Sequence, residues 1–315
     1  MSKPTDKINR TIRSEQVLQA FVEVVQKNLP LALKNTRITS DDIIYALAYA
    51  NVHRLSIESA CQELQGAPSG NRLREVLTEA LPDRTGLQRR LNCMFRQQLH
   101  PSIWKCKRDF SLAIDLTLIP YHGQPYKDKK EIVRGQPKSG TTHFHGYATV
   151  SIVRDHRRYV VALRFMEYGE AMSDIVRWLI KRVKSLKIHF RRVFLDKGFC
   201  SKPIFKVLEQ HQLSFVTPIP VRGKSGGVRT LFQGKSRTTT YTFNSPTYGQ
   251  YTVVAVAVKR YSKGRYGRHQ SKWFAYAVAG LPTHISPAQV FALYRQRFGI
   301  ESSYRQTPAP TAGAV

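Results

Sequence analysis

The chain has 315 residues, enough for one large domain or for a catalytic domain with a smaller one. It carries 50 Lys and Arg against 21 Asp and Glu, a formal net charge of +29. Such a charge favours nucleic acid as a partner, because each phosphate that is neutralised releases condensed counterions. No apolar run reaches about 18 residues, so a membrane span is not expected, although an anionic membrane surface would also attract the charge. Ribosomal and RNA-packaging proteins share the basic composition but are usually shorter and of lower complexity.

The N-terminal sequence and the cysteines indicate an intracellular location. Residues 1–7 are polar and lack the apolar segment of a secretory signal. The cysteines are widely spaced and form no Cys-x-x-Cys pair, so we expect free thiols rather than a zinc site: Cys61, Cys93, Cys106 and Cys200. The sequence therefore predicts a cytoplasmic protein, associated with the nucleoid if the partner is DNA.

Residues 1–105 predict a helical N-terminal domain. Apolar side chains recur at helical spacing from Ser14 to Val25, and Thr39-Ser40-Asp41-Asp42 is a helix-capping cluster. Two short helices joined by a Gly/Pro turn, 56–64 and 72–81, resemble a helix-turn-helix. Arg72 and Arg74, at the start of the second helix, are then expected to contact DNA ends. The same shape also occurs as a plain packing unit, so both interpretations stay open.

Residues 106–306 predict an α/β domain. The nearly continuous apolar run Phe110–Ile119 is typical of a strand that is buried on both faces. A polar loop is predicted over Tyr121–Thr142. Strands and helices then follow in the order expected of a mixed sheet flanked by helices: strands 144–154 and 157–166, helix 173–186, strand 192–196, helix 203–211 and strand 213–219.

The remainder predicts a β-rich insertion, one last helix and a tail. Residues 221–281 contain basic, Gly-rich loops and at least three aromatic or β-branched strands: Thr239–Phe243, Tyr251–Val258 and Trp273–Ala279. Ser286-Pro287 begins a final helix that is predicted to run toward Gln306. The tail 307–315 is rich in Pro and Ala and is expected to be disordered.

Three acidic residues occupy positions that are unusual for ordinary solvent-exposed surface acids. Asp115 lies inside the apolar strand, where a lone carboxylate is costly unless it is paired or bound to a metal. Asp196 ends the strand Val193-Phe194-Leu195 and precedes Lys197-Gly198, where the chain leaves the sheet and a site can open. Glu301 is the only acidic residue from 210 to 315. Taken singly, each has a plainer interpretation: Asp115 as a hydrogen-bonded core acid, Asp196 as a turn residue and Glu301 as the ion-pair partner of an arginine.

Taken together, these residues predict a divalent-metal site. Two Mg²⁺ ions about 3.5–4 Å apart can activate a water or a 3′-hydroxyl and stabilise the leaving oxygen in phosphoryl transfer. Mg²⁺ prefers oxygen ligands and uses few protein carboxylates. We therefore expect Asp115, Asp196 and Glu301 to be the catalytic, metal-binding residues, with Mg²⁺ or Mn²⁺ as cofactor.

The helix around Glu301 carries a family resemblance. Tyr294, Arg297 and Glu301 share one helix face, and the stretch from Tyr294 to Glu301 reads Tyr-x-x-Arg-x-x-x-Glu. With Asp115 and Asp196, this stretch resembles the DDE transposases of insertion sequences that bear this signature. The resemblance covers about residues 110–306. It implies a retroviral-integrase, RNase H-like fold with a β-rich insertion before the Glu helix, metal ligation by the three acids, and phosphate contacts from Tyr294 and Arg297.

The resemblance also implies an activity and partners. The expected reaction is metal-dependent DNA strand cleavage and strand transfer at insertion-sequence ends, with a homodimer on two element ends and a target DNA. The family's basic residue seven positions after the Glu is replaced here by Pro308, so a truncated C-terminus is expected. A catalytically impaired DNA-binding remnant and a Mg²⁺-dependent DNA nuclease are the alternatives.

Two further residues are expected to contact DNA. Lys197 directly follows Asp196. Trp273 is the only Trp of the segment 221–281, and in similar transposases a Trp of the insertion holds a flipped base. Its strand context favours core packing as the competing interpretation.

Overall fold

The computed structural model describes residues 13–34, 37–106, 108–124, 130–154, 157–263 and 269–297. The chain separates into two compact units that divide between Gln98 and Leu99. No helix within these ranges combines the length and the apolar character needed to cross a bilayer. The four cysteines are free thiols.

In the N-terminal unit, side-chain caps fix the starts of three helices. Thr39 caps α2 (Ser40–His53): its hydroxyl accepts from the Asp42 N–H while the Asp42 carboxylate accepts from the Thr39 N–H. Ser56 caps α3 (Ile57–Glu63), and Ser69 caps α4 (Gly70–Ala80). The helices are α1 (Ser14–Asn28), α2 (Ser40–His53), α3 (Ile57–Glu63), α4 (Gly70–Ala80) and α5 (Arg84–Gln98).

The core of this unit lies between α2, α3 and α4. Ile43, Cys61 and Leu73, one from each helix, are buried together. The helix α4 begins at Gly70, two residues before the predicted start, because Ser69 supplies the capping oxygen.

The C-terminal unit is a large mixed sheet with helices on both faces. The predicted strands and helices are present with small shifts of their ends. The elements are α6 (Pro101–Trp104), β1 (Phe110–Pro120), β2 (Ile132–Lys138), β3 (Thr141–Arg154), β4 (Arg157–Phe165), α7 (Met172–Ser185), β5 (Phe190–Leu195), α8 (Lys202–Gln210), β6 (Ser214–Pro218), β7 (Arg237–Ser245), β8 (Gly249–Lys263), β9 (His269–Ala279) and α9 (Pro287–Arg295).

The nine described strands form one continuous sheet. Their order is β2, β3, β1, β5, β6, β9, β8, β7, and β4 also pairs with β3. The neighbours β1, β5 and β6 run parallel, and the other pairs are antiparallel. The expected mixed sheet flanked by helices is therefore confirmed, and helices precede it in the described part of the N-terminal region.

Alternation along β1 assigns its residues to two different faces of the sheet. Leu112 and Ile114 pack in the larger core with residues of α7 and α8. Ala113 packs in a second core with Val290 and Tyr294 of α9. Successive side chains of a strand point to opposite faces. We call these two surfaces the α7–α8 face and the α9 face.

One prediction about this unit is wrong: the polar loop Tyr121–Thr142 contains the strand β2. Ile132 and Val133 are buried against the core. A Cβ at Gly135 would lie 3.1 Å from the Phe144 ring, so glycine lets this backbone approach β3 closely. Pro137 cannot donate a ladder hydrogen bond, which suits a strand at the edge of the sheet.

The β-rich segment extends the same sheet. β9 pairs with β6, β8 with β9, and β7 with β8. All three predicted strands are present and longer than predicted. α9 begins at Pro287 with Ser286 as its cap, and its described part ends at Arg295. The predicted continuation toward Gln306, Glu301 within it, and the tail 307–315 lie outside the described residues.

Candidate active site

Asp115 and Asp196 come together because of the register between two parallel strands. Ile114 of β1 lies beside Leu195, the last residue of β5. Asp115 and Asp196 each follow one position later, at the same level of the sheet. Neighbouring strands are about 4.8 Å apart, so the two aspartates are adjacent.

Both aspartates are on the α9 face and remain open to solvent. Ala113 and Phe194, each two residues before an aspartate, pack against α9. The backbone is still extended at Asp196, so alternation gives both aspartates the same orientation. The side chains of Asp115 and Asp196 are 41% and 44% exposed. A phosphate, water or cation can therefore reach both carboxylates.

Arg297 connects the two carboxylates. Its Nη2 donates to Asp115 Oδ1 at 2.7 Å, and its Nη1 is 3.6 Å from Asp196 Oδ1. Only 5% of the Arg297 side chain is exposed. One buried guanidinium therefore spans both acids, as its planar fork permits. Burial works to lower the pKa of Arg297, but Tyr294, Asp115 and Asp196 outweigh it and raise that pKa.

Tyr294 links α9 to the end of β5. Its hydroxyl donates to the Leu195 carbonyl at 3.1 Å and accepts from Arg297 Nη1 at 3.3 Å. Burial, together with the Asp196 and Asp115 carboxylates, raises the pKa of Tyr294 to about 12 against the opposing effect of Arg297. Tyr294 is therefore a neutral hydrogen-bond donor near neutral pH, and it holds the backbone next to Asp196.

Two residues that were not predicted complete this network. Arg158 of β4 places its Nη1 4.0 Å from Asp115 Oδ2, and its side chain is 7% exposed. The Thr217 hydroxyl of β6 donates to the Asp196 carbonyl at 3.1 Å. The pairing of β4 with β3 and of β6 with β5 brings them there. The charged pair Arg157-Arg158 at the start of β4 was the available signal for Arg158, whereas Thr217 had none.

The donor set fits a hard divalent cation. Asp115 and Asp196 offer adjacent, solvent-accessible carboxylates, and Mg²⁺ uses one or two carboxylates with waters and substrate phosphates for the rest of its shell. Within the described ranges, no group of three or more His, Cys, Asp or Glu side chains could hold a metal. The third expected ligand, Glu301, falls outside those ranges.

The other predicted DNA contacts are distributed over the molecule. Lys197 is exposed in a short 3-10 helix directly after Asp196, and its contact with DNA stays a prediction. Trp273 lies on the α7–α8 face, opposite to the aspartates, where it stacks on Phe232 with ring centroids 5.7 Å apart. Core packing, the competing interpretation, describes these contacts of Trp273.

Arg72 and Arg74 lie in the first turns of α4, in the N-terminal unit. Arg72 pairs with Glu75 at 3.0 Å, and Arg74 bonds to Asn71 and lies 3.7 Å from Glu58. About half of each arginine side chain is exposed. Their contact with DNA stays a prediction.

The sequence of the C-terminal unit matches a known family model. The model describes a transposase DDE domain and matches residues 111–307, which is more than half of the chain. The chain belongs to this transposase family. The match begins at the second residue of β1, four positions before Asp115, and it spans the whole sheet and α9. The predicted family is thereby confirmed.

The solved structures that this chain resembles are distant from it in sequence, and the structural similarity is weak. The piggyBac transposase synaptic complex with hairpin DNA has 14% identity and a TM-score of 0.40, over 96% of this chain and 62% of that chain. Endonuclease V of Ciona intestinalis, bound to DNA with an inosine, has 10% identity and a TM-score of 0.28, over 68% of this chain and 95% of that chain. The strand transfer complex of the Drosophila P element transposase has 14% identity and a TM-score of 0.20, over 64% and 43%. The chain thus spans 62% of the piggyBac chain. No curated protein matches it.

Proposed function

We propose that this member of the DDE family is an insertion-sequence transposase that cleaves DNA strands at element ends and transfers them to a target. The observation that carries the proposal is the adjacency of Asp115 and Asp196 at neighbouring strand ends, open to solvent on one face of the sheet. Membership of a transposase family supports the same reaction class.

The residues of the site act mainly by positioning. Asp115 and Asp196 would hold Mg²⁺ or Mn²⁺, with Glu301 as the third ligand. Bound there, the metal would polarise phosphate oxygens and favour deprotonation of the attacking water or 3′-hydroxyl. Tyr294 and Thr217 fix the backbone at the end of β5, so that Asp196 keeps its place relative to Asp115. Pre-positioning of this kind lowers the barrier of phosphoryl transfer without a covalent protein intermediate.

Arg297, Arg158 and Lys197 supply positive charge next to the reacting phosphate. Arg297 and Arg158 are buried beside Asp115, and Lys197 is exposed beside Asp196. A guanidinium can bind two phosphate oxygens at once, which fixes the orientation of the scissile group. Tyr294 and Arg297 keep their proposed phosphate-contacting role. For Tyr294, whose one hydroxyl proton goes to the Leu195 carbonyl, a phosphate contact would replace that hydrogen bond.

The proposed partners are the terminal repeats of the element and a target DNA. The net charge of +29 favours a polyanion. The exposed arginines at the start of α4 give the helical unit a surface for binding DNA ends. Two copies of the chain on two element ends would form the working complex.

Strand joining in vitro tests the proposal. The purified chain is incubated with a labelled duplex carrying the terminal repeat and a supercoiled target, with Mg²⁺, Mn²⁺ or EDTA. Asp115→Ala and Asp196→Ala are compared with Asp174→Ala, an exposed acid at the start of α7, which packs on the opposite face of the sheet. We expect metal-dependent joined products that fall at least 100-fold in the first two variants and persist in the control.

Other outcomes would assign a different function. DNA binding without cleavage would make the chain a catalytically impaired remnant. Cleavage of any duplex without joining would make it a nuclease. Strand joining that survives in Asp115→Ala or Asp196→Ala would contradict the assignment of these aspartates as catalytic metal ligands.

A further inference from the structure

Two neighbouring cations of β8 point to opposite faces of the sheet. Lys259 pairs with Trp273 and lies over its ring at 5.6 Å, on the α7–α8 face. Arg260, the next residue, lies over the ring of Phe291 in α9 at 5.1 Å. The basic segment that the sequence presents as continuous is thus divided between two surfaces.

Arg260 belongs to a cluster of three exposed cations on the α9 face. Arg295 of α9 lies 5.9 Å from the same Phe291 ring, and Lys272, the cross-strand neighbour of Arg260, lies 5.6 Å from the Phe274 ring. The two rings contact each other at 5.1 Å. Each cation therefore rests on an aromatic ring, which limits its rotamers while its N–H groups remain available to a ligand.

This cluster is close to the aspartates along α9. Phe291 precedes Tyr294 by about one helical turn, and the Tyr276 ring contacts the rings of both Phe291 and Tyr294. Phe291 and Arg297 are six residues apart, which corresponds to about 9 Å along a helix. Phosphates of one DNA strand recur about every 3.4 Å along the axis, so this distance corresponds to roughly three base pairs.

The charge of the surrounding segment favours an external polyanion. The sequence contains no Asp or Glu from 211 to 300. Arg260, Lys272 and Arg295 are all exposed. Each of the three can therefore exchange a bound counterion for a phosphate.

We infer that duplex DNA lies along the α9 face of the β7–β9 extension, with its phosphates on Arg260, Lys272 and Arg295 and its reacting end at Asp115 and Asp196. The inference rests on the proposed function and adds the surface that positions the duplex. Lys259, Tyr261 and Trp273 are excluded from this path, because the sheet separates them from the aspartates.

Salt-dependent DNA binding by Arg260→Gln and Lys259→Gln tests this division. The two positions are adjacent in one strand and each loses one positive charge. Binding of the full chain to a labelled terminal-repeat duplex is measured by fluorescence anisotropy in EDTA, at several salt concentrations, beside a double-stranded RNA of equal length. Thermal unfolding checks that each variant folds.

We expect Arg260→Gln to reduce the slope of log K against log salt by about 1, and the double variant Arg260→Gln/Lys272→Gln by about 2. Lys259→Gln should leave the slope within error of the unchanged chain. Equal slopes for Arg260→Gln and Lys259→Gln, or tighter binding of the RNA with the same dependence on Arg260, would overturn the inference. Because EDTA prevents cleavage and joining, the binding assay is independent of the strand-joining assay. If the two variants had equal slopes but the unchanged chain still joined strands, this inference would fail and the proposed function would stand. Loss of joining with the expected slopes would instead count against the function alone.

Discussion

At the scale of single residues, the site is a balance of opposite charges around Asp115. This carboxylate has a buried guanidinium on each side, from Arg297 at Oδ1 and Arg158 at Oδ2. Burying a charge is costly unless it is paired, so the arginines and the aspartates stabilise one another. The aspartates keep an exposed side, however, so the pairing leaves them accessible to a ligand.

Replacing Arg297 is expected to destabilise the fold. Arg297→Gln removes the charged hydrogen bond to Asp115, the contact with Asp196 and the bond to Tyr294. We expect a loss of about 1.5–3 kcal/mol in the free energy of unfolding, the range for hydrogen bonds to charged groups. Urea unfolding followed by circular dichroism measures it.

Arg295→Gln is the matched control, because Arg295 is exposed at the end of α9 and stacks on Phe291. A change within about 0.5 kcal/mol is expected there. If the two variants lose the same stability, the bridge between the aspartates contributes nothing measurable to the fold.

At the scale of elements, the junction between β6 and β9 joins the β-rich extension to the rest of the sheet. Gly280 follows β9 with φ +65°, and the Ser214 hydroxyl of β6 donates to its carbonyl at 2.8 Å. A Cβ at Gly280 would lie 2.7 Å from Ser214 Oγ and 3.1 Å from Ser214 Cα. Glycine is therefore required here both by backbone conformation and by close approach.

Gly280→Ala is expected to weaken this junction more than a backbone effect alone would. Gly234 has nearly the same φ, +64°, and open space around a Cβ, so Gly234→Ala measures only the left-handed strain, about 1 kcal/mol. We expect Gly280→Ala to cost at least about 1 kcal/mol more, because Ser214 must move. If thermal or urea unfolding shows that both variants lose the same free energy of unfolding, Ser214 of β6 moves aside without a measurable cost.

The elements also show what could be predicted from the sequence. The run Phe110–Ile119 is apolar enough to predict a buried strand, and an acid inside it is an evident anomaly. β2 was missed because Gly135 and Pro137 are typical of loops, while its pairing with β3 depends on Ile132, Val133 and the close approach of Phe144. Local patterns report local structure, and this strand is stabilised by its neighbours.

Long-range contacts limited the prediction of the site in the same way. Asp115 and Asp196 could be chosen because each stands at a strand position where an acid is unusual. Nothing in the sequence indicates that Arg297 contacts Asp115 from 182 positions away. Alternation along β8 predicts that Lys259 and Arg260 point to opposite faces, but which face carries the aspartates follows only from the packing of α9.

At the scale of the whole molecule, charge and topology favour one DNA-binding surface near the site. The family match spans residues 111–307, and within it the described aspartates, Tyr294, Arg297 and the Arg260 cluster all belong to the α9 face. The α7–α8 face, in contrast, carries the main apolar core with its covering helices. The net charge of +29 would attract DNA, and the placement of the cations would give the proposed duplex its orientation.

The central claim is that Asp115 and Asp196 bind one metal centre, and iron-directed cleavage of the polypeptide tests it most directly. Fe²⁺ replaces Mg²⁺, ascorbate and hydrogen peroxide generate hydroxyl radicals next to it, and mass spectrometry locates the cuts in the backbone. We predict cuts near residues 115 and 196 together, competed by Mg²⁺ and lost at both places in Asp115→Ala and in Asp196→Ala. Cuts near only one aspartate, or cuts near 196 that persist in Asp115→Ala, would contradict a shared centre.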